Sequence, residues 1–85
     1  MAEIEIYTTT VCPYCVRAKQ LLTEKGLVYK EIFVEDSEAR AEMITRAEGR
    51  RTVPQIFING KLLGGCDDLY RLNANGELDQ WLQGV

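Results

Sequence analysis

The sequence predicts an α/β domain: a mixed four-stranded sheet flanked by helices, in the order β-α-β-α-β-β-α-α, with residues 1–85 forming a single domain. Three observations predict it. The first half of the chain alternates strand-like and helix-like patterns, and strand, helix, strand within about thirty residues implies a parallel pair joined by a crossover helix. The stretch "QIFINGKLL" reads as a hairpin and adds antiparallel strands. Two apolar stripes at helical spacing close the chain and leave helices for both faces of the sheet.

Each element has its own signal. "EIEIYT" alternates and is rich in β-branched and aromatic residues, which predicts a strand over about residues 3–8. Pro13 suits the first turn of a helix, where its missing N–H costs nothing. Cys15, Ala18 and Leu22 continue one face of that helix, opposed by Arg17, Lys19 and Glu24, and Gly26 fits its C-terminal cap. "LVYKEIFV" (27–34) predicts the second strand. Asp36 or Ser37 caps a second helix that buries Ala39, Met43 and Ala47 and ends at Gly49. Asn59-Gly60 fits a two-residue type I′ turn between "QIFI" and "KLL". After Gly64-Gly65, Asp67 or its neighbours open a helix through Leu69 and Leu72. Leu78, Trp81 and Leu82 form the stripe of a short last helix.

Composition narrows the function classes. The net charge of −3, with no basic block, argues against a nucleic-acid binder, which normally shows a clustered positive footprint. "MAEIEIYTTT" has neither the basic nor the apolar region of a signal peptide, and no apolar run approaches the length of a membrane span. A cytoplasmic protein with reduced thiols is therefore expected. Three cysteines cannot all pair within one chain, so a disulfide-stapled scaffold is the weaker reading. A monomer is the default, since no large exposed apolar stripe appears.

Two of those cysteines, Cys12 and Cys15, stand in "CPYC" directly after the first strand, and the chain contains no histidine. A Cys–His protease or acyltransferase is thereby excluded for want of an imidazole base. A structural zinc site normally takes four Cys or His ligands, and three are present, so only a site shared between subunits stays open. C-x-x-C after the first strand of such a pattern is the redox motif of the thioredoxin-like class. If the helix starts near Pro13, Cys12 sits at its N-cap, where the orphan N–H groups of the first turn favour thiolate over thiol. Arg17 and Lys19 are further sources of positive field, depending on where they point. Cys12 at the helix tip should be accessible and Cys15, one turn in, partly covered. That is the arrangement of an attacking and a resolving cysteine.

Three blocks together, "CPYC" at 12–15, "TVPQIFI" at 52–58 and "GGCDDL" at 64–69, make the chain resemble the dithiol glutaredoxins, in particular small bacterial ones. Their order and separations fit that family over essentially the whole chain. The resemblance implies a thioredoxin-like fold, with a cis peptide bond before Pro54 that places the Val53 backbone beside the active sulfur. It implies glutathione as co-substrate, with no tightly bound cofactor and no metal. The cysteinyl backbone of glutathione would pair with Val53 within the Thr52-Val53-Pro54 block. Its γ-glutamyl carboxylate would sit at the helix start near Gly65, Cys66 and Asp67, with the Asp67 carboxylate on the ammonium. Tyr14 would shield the mixed disulfide. The family often carries a lysine three residues before the first active cysteine, and here that position is Thr9. The substitution removes one thiolate stabiliser and one contact for the glycyl carboxylate, part of which Arg51 would replace, with Arg50 a second candidate.

The implied activity is glutathione-dependent thiol–disulfide exchange. Cys12 alone would serve protein–glutathione mixed disulfides, and Cys12 with Cys15 would serve protein disulfides. The partners implied are glutathione and glutathionylated or disulfide-containing proteins. Electron donation to ribonucleotide reductase would use the same chemistry. The alternative is a dimeric carrier of a glutathione-ligated iron–sulfur cluster, a role more often accompanied by C-G-F-S in this family.

Overall fold

A computed structural model describes residues 2–83. Its elements are β1 (Ile4–Thr8), α1 (Pro13–Glu24), β2 (Lys30–Phe33), α2 (Ser37–Arg46), β3 (Gln55–Ile58), β4 (Lys61–Gly64), α3 (Cys66–Ala74) and α4 (Glu77–Leu82). The sheet order is β2-β1-β3-β4; β1 runs parallel to β2 and antiparallel to β3, and β3 pairs antiparallel with β4. The predicted element order and mixed sheet are both present.

Side-chain alternation splits the core into two layers. Ile4 and Ile6 of β1 join Ile56 and Ile58 of β3 on one face, where Ala18, Leu21 and Leu22 of α1, Leu69 and Leu72 of α3 and Leu78 of α4 cover them. Tyr7 and Phe57 point to the other face and pack with Val34 and with Met43 and Ala47 around α2. Both central strands are covered on both faces, so β3 is buried at all four positions.

The second strand is shorter than predicted, covering Lys30–Phe33 instead of 27–34. The cause lies in the end of α1. Gly26 takes φ +72, its N–H donates to the Thr23 carbonyl and the Leu27 N–H donates to the Leu22 carbonyl. That is a Schellman cap, and it commits Leu27 to closing the helix rather than to starting a strand. At the end of α2 the expected Gly49 takes positive φ (95) and its N–H donates to the Ile44 carbonyl at 2.9 Å, and Glu48 before it is at positive φ as well (58). Asn59 (φ 53) and Gly60 (φ 82) form the hairpin turn with both central residues at positive φ, as type I′ requires.

Partly covered ion pairs fasten the sheet faces. Arg46 of α2 donates to the Glu5 carboxylate at 2.7 Å and to the Tyr7 hydroxyl at 3.1 Å, with its guanidinium 4.1 Å from the Phe57 ring centroid. That hydrogen bond from Arg46 holds the Glu5 carboxyl below its ordinary value of 4.5. The unfolded chain therefore binds this proton more readily than the native one. The stability gained is complete above about pH 4.5 and is lost as pH falls through the lower native value. Glu5→Gln is accordingly expected to lower the melting temperature at pH 7 and to flatten its decline between about pH 5 and 3. Parallel melting curves for variant and wild type across that window would sink this reading.

Candidate active site

Three chain reversals meet at one end of the sheet, and the strand directions force them together. β1 ends there at Thr8, β3 begins there because Tyr7 lies opposite Gln55, and β4 ends there because Gly64 lies opposite Ile56. The loop to α1, the loop into β3 and the start of α3 are thus neighbours although far apart in sequence.

Cys12 is the N-cap of α1, with extended backbone (φ −154, ψ 98), and Pro13 follows at the first helical position. The Cys15 N–H donates to Cys12 Sγ at 3.1 Å, so the helix start already presents a donor to this sulfur. Cys12 and Cys15 form a disulfide, with Cα atoms 5.2 Å apart. Cys15 is sealed at 1% exposure and Cys12 is only 9% exposed, less open than a helix tip alone suggests. The covering segment is the turn before β3: Val53 O lies 3.8 Å from Cys12 Sγ, and the Val53–Pro54 peptide is cis. Arg17 and Lys19 are engaged elsewhere. The Arg17 guanidinium lies 5.3 Å from the Tyr70 ring centroid, and Lys19 Nζ is bound to Glu31 at 2.8 Å. Neither side chain contacts Cys12 in these pairings, whereas the helix start presents the Cys15 N–H directly to its sulfur.

Beside the disulfide lies a cleft of about 360 Å³. Of the predicted contacts, Tyr14, Thr52, Val53 and Pro54 line one side and Gly65, Cys66 and Asp67 the other. Arg51 is not among the lining residues; it is exposed, and its carbonyl accepts from Arg40 Nη1 at 3.0 Å. Arg50 lines the cleft in its place. Gln55 and Asp68 also line the cleft, Asp68 as an acid of the first turn of α3. Gln55 is fully buried, and its Nε2 donates to the Thr52 carbonyl (3.0 Å) and hydroxyl (3.2 Å), bracing the turn that carries Val53. In the sequence Gln55 has only the pattern of a strand residue at the start of "QIFI", so nothing local marks it as a brace. Asp68 accepts from the Gly65 N–H at 2.9 Å, which makes it the capping acid of α3.

Cys66, the first residue of α3, is free and 5% exposed. Burial pushes its thiol up; the Arg17 charge opposes this and the Asp67 charge adds to it. In the reduced protein at pH 7, alkylation of Cys66 is expected to be at least roughly tenfold slower than that of Cys12. Peptide mapping after a short iodoacetamide pulse checks this, and equal labelling of the two would refute it.

An N-capping cysteine paired with a second one turn later, on a thioredoxin-like sheet beside a cis-proline, defines a dithiol thiol–disulfide oxidoreductase. Comparison with known proteins narrows that class. The glutaredoxin family model matches residues 4–63. Glutaredoxin 3 of Escherichia coli (strain K12) is 51% identical over 83 residues, covering 98% of this chain and 100% of that protein. The solution structure of glutaredoxin from Brucella melitensis superposes with a TM-score of 0.85 at 52% identity, covering 96% of this chain and 89% of that one. A buckwheat glutaredoxin–glutathione complex superposes with a TM-score of 0.86 at 32% identity, covering 98% and 78%. The chain belongs to the glutaredoxin family, and glutathione-dependent thiol–disulfide exchange is the activity of that family.

Proposed function

We propose that this chain reduces protein–glutathione mixed disulfides through Cys12 alone and protein disulfides through Cys12 with Cys15. The observation that carries the reading is the cleft itself, which adjoins Cys12 and is walled by the turn before β3 on one side and a helix start on the other. Thr52 and Val53 stand outside the sheet, so the Val53 backbone is available to pair with a peptide as an added strand. The first N–H groups of α3 suit a carboxylate. A short peptide with a carboxylate at one end and a cysteine in the middle matches both walls, and glutathione is bound by the buckwheat relative.

In the mixed-disulfide reaction the Cys12 thiolate attacks the glutathione sulfur. The Cys12–glutathione S–S bond forms as the old S–S bond breaks, and the protein substrate leaves as a thiolate carrying the electron pair. A second glutathione thiolate then attacks the glutathione sulfur of the adduct, giving glutathione disulfide and the Cys12 thiolate. A Cys12 held as thiolate by the helix start is available to attack and is a good leaving group. With a protein disulfide, the Cys12 thiolate attacks one sulfur and releases the other as a thiolate; Cys15 then attacks the Cys12 sulfur and expels the remaining substrate thiolate, leaving the Cys12–Cys15 bond, which two glutathiones reduce as they become glutathione disulfide. The same route would serve electron donation to a reductase such as ribonucleotide reductase. A reducing cytoplasm, in which glutathione is kept reduced, suits both routes. In the described residues no helix is long and apolar enough to cross a membrane.

The test is glutathione-dependent turnover of a small glutathione mixed disulfide by the purified chain. Saturable turnover is expected, and an inactive wild type would overturn the proposal.

A further inference from the structure

Gln55 stands where the sheet calls for an apolar side chain. As the first residue of β3 it lies opposite Tyr7 and shares a face with Phe57. That face carries the apolar layer of Tyr7, Val34, Met43, Ala47 and Phe57. Gln55 is 1% exposed there, and its Oε1 is buried with no hydrogen-bond partner among the described residues. A buried acceptor without a donor costs stability, and an apolar residue of the same length would avoid that cost.

The other half of the amide is fully used. Nε2 donates to both the carbonyl and the hydroxyl of Thr52, at 3.0 and 3.2 Å. These bonds close a ring around Val53 and Pro54. Reversing the amide would set Oε1 against the Thr52 carbonyl, so the same acceptors that fix the side chain leave Oε1 the orphan. Inside the ring, Val53 places its carbonyl 3.8 Å from Cys12 Sγ, and Val53 lines the cleft. A polar residue kept at a cost in an apolar layer marks a functional demand, and here the demand is the position of Val53.

We propose that Gln55 is a positioning residue for substrate recognition rather than a core-stability residue: its buried amide holds Thr52 and Val53 in the conformation that pairs with the substrate peptide. The proposal rests on the reading of the cleft as the glutathione site. Gln55 acts through Val53 and has no part in the sulfur exchange itself. Without it, each incoming peptide must order the turn.

The test uses the reduced full chain, its Gln55→Met variant and two chromogenic mixed disulfides of a nitrothiophenol. One carries glutathione and the other mercaptoethanol, which has no peptide to pair with Val53. In each, the Cys12 thiolate attacks the alkyl sulfur, a new S–S bond forms, and the coloured nitrothiophenolate leaves with the electron pair. Methionine keeps the unbranched shape of glutamine and removes its polar groups. Gln55→Met is expected to slow attack on sub-saturating glutathione substrate about tenfold, the size of ordering one backbone residue. Attack on the mercaptoethanol substrate should change by less than about twofold. The melting temperature should stay within about 5 °C of wild type or rise, because losing the bonds to Thr52 is offset by losing the orphaned oxygen. Equal slowing on both substrates, or on neither, overturns the proposal alone, as does a variant that melts more than about 5 °C lower. A wild type that attacks the two substrates equally fast removes the glutathione reading and this proposal with it.

Discussion

Cys12→Ser is expected to abolish turnover of a small glutathione mixed disulfide, by about 10³-fold or more, because a serine hydroxyl is not ionised by a helix start at neutral pH and does not displace a thiolate. Cys15→Ser is expected to keep that turnover within about threefold, since the route needs only one sulfur. On a protein disulfide the same variant should fall by at least about tenfold, because the Cys12 mixed disulfide is left without its intramolecular displacement. The geometry supports this division. Cys12 adjoins the cleft, with Val53 O 3.8 Å from its sulfur, whereas Cys15 is 1% exposed and bonded to Cys12. Steady-state assays of the two variants on both substrates decide the matter. A Cys12→Ser variant that retains activity would reassign the nucleophile, and a Cys15→Ser variant dead on the small substrate would remove the one-sulfur route.

Gly64→Ala should cost about 2–4 kcal/mol, combining an unfavourable backbone region with loss of the α3 capping bond. Gly64 holds φ +125, and a Cβ there would stand 2.7 Å from both Arg50 Nη1 and the Asp68 carboxyl carbon. The methyl group must displace the Arg50–Asp68 pair, and with it the bond from the Gly65 N–H that starts α3. For a domain of this size the loss corresponds to roughly 10–25 °C in melting temperature. Gly26→Ala is the control. It also has positive φ, at +72, but nothing lies within 4 Å of its Cβ position, so only the backbone cost of about 1 kcal/mol remains. Chemical denaturation of the two variants compares them directly. Equal losses would show that crowding at Gly64 contributes nothing.

Much of the architecture was legible because its signals are local. The β1 alternation, the Asn59-Gly60 turn and the apolar faces of α1 and α3 each depend on residues within a few positions of one another. The departures from those local signals come from tertiary and cap geometry. The Schellman cap pulls Leu27 into the end of α1 and shortens β2, and at the close of α2 Glu48, a residue with no preference for it, joins the expected Gly49 at positive φ. The choice between Arg50 and Arg51 as the cleft residue was equally beyond the sequence. The two are adjacent and chemically identical, and only the turn before β3 sends one to Asp68 while the other remains exposed with its carbonyl bound by Arg40.

By itself the sequence determined the chemistry. Two cysteines three apart at a helix start, in a chain without histidine, leave thiol–disulfide exchange through a helix-stabilised thiolate as the reading with the fewest demands, and covalent spacing alone places the second sulfur within reach of the first. The tertiary structure decided what stands beside that sulfur. Val53, Arg50 and Asp67 lie far along the chain from Cys12, and they meet there only because β1 and β3 run antiparallel and β4 returns to the same end of the sheet. Reactivity is set by a helix turn a few residues long, whereas recognition is set by strand directions that no local pattern encodes.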